Sequence, residues 1–248
     1  MVVGAVIKFF ASPDTSPKGL TWDGHTLWYG DSNSDRIYQI NPITGVVIKW
    51  FAAPNVIPKD LAWDGHTLWH CEGALNRIYQ IYPITGAVIK WFAAPGVGVR
   101  GLTWDGHTFW HSDSVLARIH QIDPIAGAVI KFFASTGATP AGLAWDGKTL
   151  WNCDAATLRI NQINPITGVV IKFFGCPGVT PTGLTWDGKT LWHSDWTTDL
   201  IYQIDPITGA VIRNFAAPDT DPRGLTWDGK TLWVSTDNLN RIYQLETH

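Results

Sequence analysis

A chain of 248 residues with 45% apolar and 16% charged side chains is long enough for one large domain and too apolar to be disordered. Its formal net charge of -3 and the absence of any Lys/Arg-rich run argue against nucleic acid or an anionic membrane as a partner, although a local basic patch stays open. Cys71, Cys153 and Cys176 are too few and too scattered for a disulfide framework and read as free thiols. With no cleavage site after MVVGAVIKFF, they point to a cytoplasmic protein.

Residues 4–10, GAVIKFF, match 86–92, GAVIKWF, far downstream. Between them one repeat can be read in order. Residues 18–22 form a strand, Asp23-Gly24 a turn, 26–31 a second strand, and a polar loop leads to a third at 36–41. Pro42-Ile43-Thr44-Gly45 turns again into a fourth strand at 46–52. Asp-Gly supplies the positive φ that a primed hairpin turn needs, and Pro fixes φ at the start of the second turn. Val, Ile, Thr, Trp, Tyr and Phe fill the strands, as suits a pleated surface.

This repeat occurs six times, with Trp22, Trp63, Trp104, Trp145, Trp186 and Trp227 spaced by 41 residues. One four-stranded sheet of this length cannot bury both faces, so six must stack in a ring. The expectation is an all-β, six-bladed β-propeller, one domain over 1–248. Its last blade is built from 222–248 plus 1–11, so the N-terminal strand closes the ring. The tryptophans of GLTWDGHTLW pack between blades, with Trp50 and Trp91 as further packing on the outer strands.

Segments such as LWYGDSNSDRIYQINPITG (27–45) and GLTWDGKTLWHSD (183–195) resemble NHL-type repeats, and also gluconolactonase-like, virginiamycin B lyase-like and glutamine cyclotransferase-like propellers. The resemblance resides in scaffold positions and implies architecture more than activity. A gluconolactonase-like site implies a metal-binding Glu just before the first-strand Gly, where this chain has Lys18, Lys59, Arg100, Ala141, Thr182 and Arg223. A lyase-like site implies a His with a divalent ion, for which His70, His111 and His193 are position-matched, but those proteins have seven blades. Cyclotransferase-like repeats share six blades, yet their Thr-Gln/Glu-Gly-Leu entry is missing.

Function should lie where the repeats differ. The Asp-Gly and Pro-Ile-Thr-Gly turns share one face and hardly vary. The loops on the other face read GDSNSD, CEGALN, SDSVLA, CDAATL, SDWTTD and STDNLN. Lys18, Lys59, Arg100 and Arg223 converge on the channel rim there and suit a carboxylate or phosphate, unless acids such as Asp60, Asp219 or Asp221 neutralise them. A second ring is expected at the end of the second strand: Tyr29, His70, His111, Asn152, His193 and Val234. Two residues later come Asp31, Glu72, Asp113, Asp154 and Asp195, expected to cap their loops and to pair with the following Arg, as Asp31 with Arg36. Exposed aromatics for sugar stacking are few: Trp196, Tyr29 and Tyr82.

The reading is a non-catalytic binding scaffold, monomeric and without cofactor, with a composite site at the channel mouth. Lys18, Lys59, Arg100, Arg223, Tyr29, His70, His111, Asn152, His193 and Trp196 would hold a small polar or anionic ligand, a sugar or a peptide. A metal-assisted lyase or lactonase-like hydrolase and a multivalent sugar-binding propeller are the alternatives. Repeats this similar also fit recent amplification or engineered symmetry.

Overall fold

Each Trp-Asp-Gly segment folds as a tight hairpin because its aspartate gathers the donors of its own turn. Asp23 Oδ1 accepts from the amides of His25 (2.8 Å) and Thr26 (2.6 Å), and Oδ2 from Thr26 Oγ1 (2.6 Å) and Trp28 Nε1 (2.8 Å). Gly24 takes a φ of 96°, which a residue with a Cβ would adopt only under strain. The third strand is tied to the same box, Gln39 Nε2 donating to Thr26 Oγ1 at 2.8 Å. Asp64, Asp105, Asp146, Asp187 and Asp228 each hold a tryptophan N–H in the same way.

In the computed structural model, which describes residues 3–247, these hairpins form six four-stranded antiparallel sheets arranged as a propeller. The first complete blade runs from an inner strand Pro17–Trp22 through Leu27–Asp31 and Arg36–Ile40 to an outer strand Val47–Ala52. The last blade pairs Pro222–Trp227, Leu232–Thr236 and Arg241–Leu245 with Val6–Ala11 from the chain start. The N-terminal strand therefore closes the ring, with Phe9 opposite Tyr243 and Phe10 opposite Ile242. The chain break falls inside what would be a Pro-Ile-Thr-Gly turn. Gly4 N donates to Glu246 O (2.8 Å) and Glu246 N to Ala5 O (2.9 Å), as Gly45 N to Asn41 O (2.8 Å) and Asn41 N to Val46 O (3.0 Å) do in an intact one. Met1, Val2 and His248 of the expected closure lie outside the described residues.

The core sits in the seams. Leu20, Leu27, Tyr29, Tyr38 and Ile40 of the first complete blade pack with Trp233 and Ile242 of the last, and the other seams repeat the pattern. Trp28 and its five counterparts are almost wholly buried, whereas Trp22 and its counterparts are half-buried. Outer-strand lysines knit neighbouring blades: Lys8, Lys49 and Lys131 donate to Pro42 O, Pro83 O and Pro165 O at 3.0–3.2 Å. Trp50 and Trp91 depart from the packing expectation. They are 51% and 50% exposed, roofed by the guanidinium groups of Arg36 and Arg77 at 4.0 and 3.8 Å. Among the described residues no helix is long and apolar enough to cross a membrane.

Candidate functional site: the channel mouth

The inner strands come close enough to require glycine. A Cβ on Gly183 would lie 2.7 Å from Arg223 O, and one on Gly224 would lie 2.5 Å from Lys18 O. This ring of Gly19, Gly101, Gly142, Gly183 and Gly224 forms a waist in the channel, and the second blade breaks it with Asp60. Above the waist, on the variable face, opens a cavity of about 390 Å³ lined by Lys18, Lys59, Arg100, Thr182 and Arg223. Below it a cavity of about 220 Å³, with Thr21, Thr103, Thr185 and Thr226 in its wall, opens toward the invariant face. Asp60 borders both.

All four rim cations meet at the upper cavity, but in two different states. Lys18 Nζ and Arg223 Nη2 lie 2.5 and 3.1 Å from one oxygen of Asp237, which they share. Trp196, 39% exposed, flanks this pair, with the Arg223 guanidinium 5.0 Å from its ring. Lys59 and Arg100 form no ion pair among the described residues. Arg100 Nε donates to Ser114 Oγ at 3.3 Å, and the Lys59 stem lies across Gly73, where an added Cβ would be 2.6 Å from Cε. Burial, then repulsion from Arg100 and Lys18, lowers the pKa of the Lys59 ammonium.

The neutralising acid is thus Asp237, and none of Asp60, Asp219 and Asp221 pairs with the rim cations. Two of the residues that shape this mouth, Asp237 and Asp60, lay outside the expected site. A signal existed for both: Asp237 stands where other repeats have Ser32, Gly73, Ser114, Ala155 and Trp196, and Asp60 where the others have glycine.

The second ring is not at the rim. Tyr29, His70, His111, Asn152 and His193 are fully buried (0% exposed), because strand alternation turns them into the seams. There they begin cross-strand rows, such as His70–Tyr79–Trp91 and His111–His120–Phe132. Two of them find a partner on the preceding blade, while His193 Nδ1 also lies 3.2 Å from Gly183 O of its own blade. Ser12 Oγ donates to Tyr29 OH at 2.9 Å, and Cys176 Sγ lies 3.2 Å from His193 Nε2. Ala53 and Ala94 occupy the equivalent positions for His70 and His111, whose ring nitrogens have no hydrogen-bond partner among the described residues. Asn152 Nδ2 donates to Cys153 O at 2.9 Å. Burial pushes His70 down to about 3 and His111 and His193 to about 4, so all three are neutral imidazoles. Burial likewise pushes the Cys71, Cys153 and Cys176 thiols up. Among the described residues no three His, Cys, Asp or Glu side chains converge as a metal site would need.

The loop acids cap their loops as expected. Asp31 Oδ1 accepts from the amides of Asn33 and Ser34 (3.0 Å each) and Oδ2 from Ser16 N (2.8 Å); Asp113 does the same with Val115, Leu116 and Gly98. Their expected arginine partners turn elsewhere. Arg36 lies over Trp50, and Arg118 over Phe132 at 4.2 Å, because amides already fill the acid's lone pairs while the exposed outer-strand ring offers a cation–π surface.

No family model matches the chain, and no curated protein matches it. Solved structures do. Virginiamycin B lyase from Staphylococcus aureus, in a catalytically inactive form with quinupristin, is 20% identical over 97% of this chain and 99% of that one, with a TM-score of 0.72. A streptogramin B lyase is 17% identical over 97% of each chain, TM-score 0.73. The Cps50 (Swd1) β-propeller domain of Myceliophteria thermophila is 12% identical over 98% of this chain and 99% of that chain, also 0.73. At these identities the likeness is one of fold: the chain is a β-propeller.

Proposed function

We propose that this protein is a binding scaffold that holds a small anion, a carboxylate or phosphate, at the channel mouth on the variable-loop face, acting as a monomer without a resident metal or cofactor. The observation that carries the reading is the split rim. Asp237 pairs with both Lys18 and Arg223, while Lys59 and Arg100 face the same cavity and form no ion pair among the described residues. Converging cations of this kind raise the potential at a mouth and attract an anion, with an affinity that falls as salt rises. Guanidinium and ammonium groups supply five and three donors respectively, enough to hold two anionic oxygens. A lyase or hydrolase reading has less support, since His70, His111 and His193 are buried in seams away from the mouth. Sugar stacking retains only Trp196 there, because Tyr29 is buried beneath Ser12.

Titration with inorganic phosphate, followed by calorimetry and by thermal unfolding at low salt, tests the reading. A ligand at a hundred times its dissociation constant adds about 2.7 kcal/mol to the folded state. Phosphate should raise Tm in the parent chain and lose most of that effect in Lys59→Ala and in Arg100→Ala, with a smaller loss in Lys18→Ala. No binding of phosphate or of a simple carboxylate would overturn it.

A further inference from the structure

The second blade departs from the repeat at the waist of the channel. Ile57, a β-branched residue, takes a φ of 62° just before the rim, a conformation the last blade gives to Asp221 at 61°. Lys59 lies across the only glycine in its ring, Gly73. Asp60 replaces a waist glycine, and its side chain occupies the space beside Gly19, where a Cβ could not fit.

Asp60 is held there firmly. Oδ2 accepts from Leu102 N of the next blade and Oδ1 from Leu61 N, both at 2.9 Å. Each oxygen keeps acceptor capacity, and both cavities border the residue. None of the four rim cations forms an ion pair with it. A carboxylate taken out of water without a counter-charge is costly, so it favours any cation that enters the waist. It would also repel a simple anion seated just above it.

We propose that the mouth and waist together form a bipolar site for a small zwitterion, an ω- or α-amino acid whose acidic end lies between Lys59 and Arg100 and whose ammonium group meets Asp60. This rests on the anion reading of the rim and adds the chemistry of the other end of the ligand. Burial raises the Asp60 carboxyl to about 7, so ammonium recognition strengthens as pH rises through that value.

The test compares butyrate with 4-aminobutyrate, and acetate with glycine and β-alanine, by calorimetry at pH 8 and pH 6. The parent chain should bind at least one amino acid tenfold or more tighter than its ammonium-free counterpart, with the preference shrinking at pH 6. Asp60→Gly, which installs the residue carried at this position by the five other blades, should remove the preference and leave butyrate and phosphate binding intact or improved; Asp60→Asn, which keeps the acceptor for Leu102 N, should do likewise. Equal binding of each pair by the parent chain, or an unchanged preference in both variants, overturns the zwitterion site while leaving the anion reading standing. Failure of every anion and every zwitterion to bind overturns both.

Discussion

The two faces of the ring solve the same problem, how to satisfy a tight connection, with opposite degrees of freedom. On the turn face, one aspartate per blade holds two amides, a threonine hydroxyl and a buried tryptophan N–H, and all six blades use Asp, Thr and Trp for it. On the loop face the acid's job can be moved. In the last blade Thr236 replaces it, and Asp219, from the preceding connection, accepts from Leu239 N (2.7 Å) and Thr236 Oγ1 (3.1 Å). A face whose connections tolerate rearrangement can carry a site that differs from blade to blade. The other face cannot vary without losing its tryptophan.

The sharpest way to break this contrast is to remove one turn aspartate. Burial alone would raise the Asp105 carboxyl, but hydrogen bonds from Thr108, His107 and Trp110 outweigh it and hold it below the usual carboxylate range. Asp105→Ala strips four hydrogen bonds to a charged acceptor and strands a buried indole N–H. The expected loss is about 4 kcal/mol, or about 10 °C in Tm for a chain of this size. Ser114→Ala on the loop face should change stability by about 0.5 kcal/mol. Similar losses for the two in thermal or denaturant unfolding would end the distinction.

A second measurement addresses the seams that join the faces. His70, His111 and His193 have folded-state values of about 3, 4 and 4, against 6.5 when unexposed to the fold. Their values are depressed, so the unfolded chain takes up protons first and stability falls as pH drops from 6.5 toward 4, by up to ~1.4 kcal/mol per histidine per pH unit. Asp60 works the other way: its folded value, about 7, is raised above 3.8, so it adds stability as pH falls through 7. Burial lowers the pKa of His120 as well, so four histidines oppose one carboxyl, and the net loss by pH 5 should be at least about 3 kcal/mol. Asp60→Gly should steepen the slope, and a Tm that stays flat between pH 7 and pH 5 would mean the histidines are not buried as neutral imidazoles.

These seams also mark where the sequence stops being legible. Strand limits follow from the turns, since Asp-Gly and Pro-Ile-Thr-Gly place every hairpin to within about a residue of Pro17–Trp22, Leu27–Asp31 and Val47–Ala52. The rim cations follow as well, because they stand at one repeat position, directly before the waist residue, and all four line the mouth. The direction of His70 does not follow. A polar residue two places before a loop acid looks like a rim residue until its neighbour on the preceding blade is known, and that neighbour, Ala53, lies in another repeat's connection. Asp60 and Asp237 were visible only as breaks in a pattern, and a break does not say what it faces.

The loop-face swap can itself be reversed. Where a blade keeps its acid, the position equivalent to Asp219 is glycine in three of them, Gly96, Gly137 and Gly178, and a Cβ there would collide with Asp113, Asp154 and Asp195 respectively. Asp219→Ala should cost about 2 kcal/mol, since it leaves Leu239 N without its acceptor and the Thr236 hydroxyl with only the longer contact to Arg241 O. The double variant Asp219→Gly with Thr236→Asp recreates the arrangement of those three blades and should recover at least half of the loss. No recovery in equilibrium unfolding would mean the last blade's loop depends on Asp219 for more than capping.

The smallest expected effect is the most discriminating about the seams, because one substitution should act with opposite signs in two places. Ser12 hydrogen-bonds Tyr29 across the seam, and Cys176 contacts His193. At Ala53 the same position faces His70, whose two ring nitrogens lack a hydrogen-bond partner among the described residues. Ala53→Ser brings a hydroxyl to an unmet imidazole nitrogen, and a net hydrogen bond of this kind contributes about 0.5–1 kcal/mol, raising Tm by about 2 °C. At Ala217 the same position faces Val234, which is fully buried and offers neither donor nor acceptor. Ala217→Ser buries a hydroxyl without a cross-seam partner and should lower Tm by a similar amount or more. Equal shifts in the two variants would show that hydration or backbone groups, not the cross-seam pair, decide how the buried ring of Tyr29, His70, His111 and His193 is satisfied.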